Sequence, residues 1–140
     1  MKFEKTDVWG FEHAIRGMRN TLESWHKSDS YWGNNEYSLE SYVLGENDIS
    51  LMQKLIKAGT EHRKFMRQIF VSVDITAPLY WWKEIVNLPE SWLQTRTITM
   101  NYENLINIIH HRKNHKLTEW SVDFMNWAKS LPYANELLFI

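Results

Sequence analysis

A chain of 140 residues with no cysteine and a formal charge of -1 is the size of one domain. It can hold no disulfide framework, thiolate metal site or cysteine nucleophile, and it lacks the general positive field that gathers nucleic acid non-specifically. Met1 to Asp7 mixes charges with no apolar run behind it, and no stretch is long enough to cross a bilayer, so the expectation is one cytoplasmic domain over residues 1–140 with no membrane partner.

In chain order, Phe11 to Leu22 reads as a helix with Ile15, Met18 and Leu22 on one face and Gly17 as its weak point. Loop follows through Lys27 to Ser30 and Gly33 to Glu36, then a strand from Tyr37 to Leu44. Asn47 or Asp48 is placed to cap a helix carrying Leu51, Met52, Leu55 and Ile56, with Gly59 as its stop. Thr60 is placed to cap a short second helix through His62, Phe65 and Met66. The alternation of Ile69, Val71, Val73 and Ile75 with polar residues up to Thr76 predicts the best strand in the chain, and Pro78 ends it or opens the next helix.

Leu79 to Val86 predicts a short aromatic helix, then a turn at Leu88-Pro89-Glu90 and a weak strand over Thr95 to Thr99. Tyr102, Leu105, Ile106 and Ile109 define one helix face, and Leu117, Trp120, Phe124, Trp127 and Leu131 define another. Between them lies the polar stretch His110 to Lys116, and the apolar ending Leu137 to Ile140 is expected to dock on its own core or on a neighbouring subunit. These elements predict a helix-rich α+β domain with a small sheet around Ile69 to Thr76 and the two C-terminal helices packed over it.

The stretch from Gly59-Thr60-Glu61-His62-Arg63 through Ala77-Pro78-Leu79-Tyr80-Trp81-Trp82-Lys83-Glu84 resembles a segment of the flavin-dependent thymidylate synthases. In that family a histidine-bearing turn feeds a strand, then a helix, then an Arg-His-Arg signature. Asn101 to Leu105 and Arg112 to Trp120 are similar to its C-terminal helix, where an arginine approaches a pyrimidine nucleotide. Gly17 to Asn20, Ser28 to Ser30, Ala77 to Glu84 and Arg112 to Leu117 also resemble a family of uncharacterised phage and prophage proteins, which continue past Trp-Trp-Lys-Glu with a long insert. Here Glu84 runs directly into Ile85-Val86-Asn87-Leu88-Pro89, so the Arg-His-Arg loop is missing. The resemblance therefore implies a degenerate, thymidylate-synthase-complementing-like domain without flavin cofactor or catalysis. It implies a homo-oligomer that binds or sequesters a nucleotide-like ligand, with phage counter-defence as a use. The alternative is an interaction module that inhibits a host or phage protein through an aromatic surface.

Arg112 and His62 are the residues the resemblance carries over, as a nucleotide-contacting arginine and a neighbour of the former flavin pocket. Arg112 equally suits the negative end of a helix dipole, and its neighbours Lys113, His115 and Lys116 describe either an anion site or a solvated turn. Trp81 and Trp82 with Tyr80, and Trp25 with Trp32, either stack on a base, at ~1–3 kcal/mol per contact, or serve as core and interface. Arg16, Arg19, Arg63 and Arg67 form either an electropositive rim or ordinary salt bridges. His111, His115 and Glu119 share a face only in an unbroken helix, so no metal is expected. Asp74 with Glu84 has no nucleophile beside it, and the five glycines form no phosphate-cradling loop, so no catalytic residue is assigned.

Overall fold

The computed structural model describes residues 1–33, 41–82 and 92–140, and its architecture is α+β, as expected. The elements are β1 (Lys2–Trp9), α1 (Phe11–Asn20), β2 (Tyr31–Gly33), β3 (Ser41–Val43), α2 (Glu46–Lys57), β4 (Phe70–Pro78), α3 (Leu79–Trp82), β5 (Leu93–Asn101), α4 (Tyr102–Arg112), α5 (Met125–Lys129) and α6 (Ala134–Leu137). Lys83 to Val86, the turn at Leu88-Pro89-Glu90 and the first half of the strand expected over Tyr37 to Leu44 lie outside the described residues, and β3 is what is described of that strand.

β4 is the centre of an antiparallel sheet ordered β1-β4-β5. Its strict alternation buries Val71, Val73, Ile75 and Ala77 on one face, because successive side chains of a strand point to opposite sides. The other face is a polar ladder: Thr76 pairs with Thr95 across 2.6 Å, Thr97 donates to Asp74 at 2.7 Å, and Thr99 donates to Ser72 at 3.2 Å. β5 is longer than Thr95 to Thr99 because it pairs along the whole of β4, from Phe70 opposite Asn101 to Pro78 opposite Leu93. β1 is absent from the sequence reading. Its alternation is interrupted by a bulge between Glu4 and Asp7, where Lys5 adopts φ 53, so no period-2 pattern survives to announce it.

β5 passes directly into α4 through a reciprocal cap in which the Asn101 and Asn104 side chains each accept the other's backbone N–H. Tyr102 is fully buried and donates its hydroxyl to the Pro132 carbonyl at 2.7 Å. α4, the following helical segment, α5 and α6 place Leu105, Ile106, Ile109, Phe124, Trp127, Leu131, Leu137 and Leu138 in one core with the inner face of β4. The apolar ending thus docks on its own core through Leu137 and Leu138, while Ile140 stays exposed.

Three local expectations are corrected. Neither Asn47 nor Asp48 caps α2; the N-cap is Gly45, and Asp29 reaches across from the preceding loop to accept from the N–H groups of Asn47 and Asp48 at 2.9 and 3.1 Å. Asp48 is unavailable because its carboxylate is taken by Arg19. Thr60 caps nothing either: a 3-10 turn over Lys64–Gln68 starts after Arg63, whose side chain is drawn to Glu103 and Asn107. Finally, α1 stops at Asn20, and Leu22, expected on its apolar face, is exposed; further on, α4 runs to Arg112 and the next helix opens as a π-helical turn over Glu119–Phe124.

Candidate functional site

Of the residues singled out from the sequence, Arg112, Trp81 and Trp82 are joined by a ring that was assigned only to a helix face, Trp120. The Arg112 guanidinium lies 4.9 Å over the Trp120 ring, a cation–π contact at the end of α4. Trp120 tilts against Trp81 with centroids 4.6 Å apart, and Trp81 meets Trp82 edge-on at 4.7 Å. Arg96 covers Trp82 at 4.8 Å. The row continues inward from Trp120 to Phe124, Trp127 and Phe3, which stacks on Trp127 at 5.1 Å. Trp81 is 6% exposed, and its indole N–H has no acceptor among the described residues. Tyr80 fastens the cluster by donating to Glu119; that bond holds the Glu119 carboxyl below its usual range and pushes the Tyr80 hydroxyl up.

The neighbours of Arg112 are used locally. His115 accepts from the Leu117 N–H through Nδ1 at 3.1 Å, closing the turn between the helices, and Lys116 points to solvent. The His111 Nδ1 lies 2.7 Å from the Asn107 carbonyl. His111, His115 and Glu119 therefore face three different partners, and among the described residues no group of three acidic or histidine side chains is placed to hold a metal.

His62 stands elsewhere. It is exposed and borders a groove of about 560 Å³ between α1, α2 and the 3-10 turn, which none of Arg112, Trp81 or Trp82 reaches. Met18, Leu22, Leu51, Leu55 and Phe65 supply its apolar lining, and Thr21, Glu61, His62, Lys64 and Gln68 its polar groups, with Lys64 paired to Glu61 at 3.3 Å. The groove exists because α1 and α2 each present an apolar face to the 3-10 turn, burying Met18, Met52, Ile56, Phe65 and Met66 beneath it. The sequence offered the helix faces but not the space between them.

The proposed arginine rim divides. Arg19 is buried and binds Asp48, with Nε and Nη2 at 3.0 and 2.8 Å from Oδ1. Ser28 and Ser30 donate to the other oxygen at 2.6 and 2.5 Å. Burial would raise the Asp48 carboxyl, but the hydrogen bonds from Ser28, Ser30 and Arg19, with the charge of the guanidinium, outweigh it and hold the carboxyl below the usual range. Arg63 is likewise buried against Glu103 at 3.0 Å and donates to Asn107. Arg16 and Arg67 are exposed. Trp25 and Trp32 do not act as a pair: Trp25 donates to Asn20, and Trp32 donates to Glu12. Asp74 is engaged by Thr97, and Glu84 lies outside the described residues.

Fold and site together define a small α+β protein with a packed, partly exposed aromatic row on one side and an open amphipathic groove on another. Compared with known proteins, the chain matches no family model, no curated protein and no solved structure.

Proposed function

We propose that this chain is a non-catalytic binding protein for a planar, nucleotide-like ligand, and that the ligand occupies the groove bordered by His62. The observation that carries this reading is the groove itself, whose volume of about 560 Å³ falls within the range of small-molecule sites and whose make-up is an apolar bed with a few polar groups. Leu51, Leu55 and Phe65 suit the face of a base, while His62 and Gln68 offer donors to its carbonyls and Lys64, on leaving its exposed pair with Glu61, a cation for its phosphate. The Arg112 cluster suits the role less well, because Arg112 already rests on Trp120 and Trp81 already packs against it.

Support for the non-catalytic half comes from the sequence: the chain contains no Arg-His-Arg, the signature that the resembled synthases carry. The phage-type resemblance favours sequestration as the use. Isothermal titration with nucleoside mono- and triphosphates tests the reading. Saturable binding that His62→Ala and Lys64→Ala each weaken several-fold, with Arg112→Ala unaffected, is the expected result. Loss of binding in Arg112→Ala alone moves the ligand to the aromatic row, and a visible flavin spectrum in purified protein overturns the non-catalytic assignment.

A second reading has its own observation. Trp25, Tyr31, Trp92 and Leu93 are all exposed, and large apolar side chains on a surface mark contacts with other proteins. A homo-oligomer or an inhibited partner protein satisfies them. Light scattering and co-purification distinguish the two.

A further inference from the structure

A second groove, which shares no lining residue with the first, has a different chemistry. It occupies about 510 Å³ where β1 turns into α1, and Trp9, Trp32 and Tyr42 border it together with Asp7 and Glu12. Trp32 is 60% exposed and Trp9 43% exposed. Each ring is nevertheless held: Trp9 stacks on Phe70 at 5.8 Å, and Trp32 meets Tyr42 at 5.0 Å while its indole N–H donates to Glu12 Oε2 at 3.1 Å. Exposed tryptophans fixed in place by neighbours present π faces that do not need to be ordered when a ligand arrives.

Charge selects the ligand. Among the described residues bordering this groove there are two carboxylates, Asp7 and Glu12, one histidine, His13, and no lysine or arginine. The Glu12 carboxylate lies close enough to Tyr42 to help burial push that hydroxyl up, which places negative charge beside the rings. Aromatic faces attract cations through their quadrupole, and rings edged by carboxylates hold alkylated ammonium groups that are too weakly hydrated to stay in water.

We infer that the Trp9-Trp32-Tyr42 groove is a binding site for an organic cation, an alkylammonium group whose methyls contact the rings and whose charge faces Glu12 and Asp7. Its ligand is a free quaternary amine or the same group carried on a methylated lysine side chain. The site is separate from the groove bordered by His62 and does not rest on the nucleotide reading.

Tryptophan fluorescence of the full chain, titrated with choline and with the neutral isostere in which carbon replaces its nitrogen, tests the site. Choline is expected to give a saturable change, with the isostere about ten-fold weaker or worse, as the loss of cation–π attraction requires. Trp32→Ala should weaken choline about ten-fold, and Glu12→Gln about three- to ten-fold. Because Trp32 is mostly exposed, its replacement leaves the core intact, and Glu12→Gln provides a second variant that keeps an acceptor for Trp32. A trimethyllysine peptide that binds more tightly than choline identifies a polypeptide source, and equal or weaker binding identifies a free amine. Equal affinity for choline and its isostere, no response to choline or the peptide, or unchanged binding in both variants overturns the inference.

Discussion

Replacing Asp48 by Asn leaves Arg19 buried with no countercharge, at a side chain only 7% exposed. The carboxylate accepts four hydrogen bonds, two from Arg19 and one each from Ser28 and Ser30. An amide keeps one acceptor for Arg19, and the serine hydroxyls can turn to accept from its NH2, so most of the geometry survives while the charge does not. Removing one partner of a buried pair costs about 3–5 kcal/mol. Against a total stability of about 5–15 kcal/mol for a domain, that is a loss of roughly 10–20 °C in melting temperature at this chain length. Calorimetry of wild type and Asp48→Asn at neutral pH measures it. The sign with pH follows from the lowered carboxyl: the contribution is fully present above the unfolded value of about 3.9 and is lost as pH falls through the lower folded value. The gap between the two proteins should therefore close on acidification through that window. A loss under about 1 kcal/mol at neutral pH, or a gap that does not narrow in acid, refutes the role given to this pair.

Two glycines should respond in opposite directions to alanine. Gly10→Ala, at φ 99 with a methyl that would fall 1.9 Å from the Gln68 carbonyl oxygen, is expected to destabilise by at least about 2 kcal/mol, whereas Gly17→Ala, inside α1 with nothing within 4 Å, should stabilise by up to ~1 kcal/mol. Urea melts of both variants check the contrast. Tyr102→Phe strands the Pro132 carbonyl that the buried hydroxyl serves, and a loss of about 1–3 kcal/mol by the same measurement is expected.

What could be read from the sequence was whatever depends on local periodicity. The Val71-Val73-Ile75 alternation located the central strand, and the spacing of Tyr102, Leu105, Ile106 and Ile109 located α4, because each pattern reports one buried face. β1 escaped because its bulge breaks the alternation, and because its apolar residues Phe3 and Val8 gain meaning only against partners far along the chain. Asp29 as the cap of α2 and Asp48 as the anchor of Arg19 escaped for the same reason. Both are long-range exchanges, in which a loop acid and an acid expected to cap its own helix serve groups 18 and 29 residues away. His62 and Arg112 were both noticed, but only three-dimensional placement separates them into an open groove and a row of packed rings.

The Phe3 ring stacks on Trp127, and the Trp127 indole donates to Thr6 across 121 residues of chain. A nascent polypeptide cannot roof the inner end of this aromatic row until Trp127 has been synthesised. Structures closed by such distant pairings form slowly, since the entropy of looping is lost before any contact compensates it. The first strand thus emerges from the ribosome long before the tryptophan that shelters it, and its buried face is covered only after that later stretch of chain has followed.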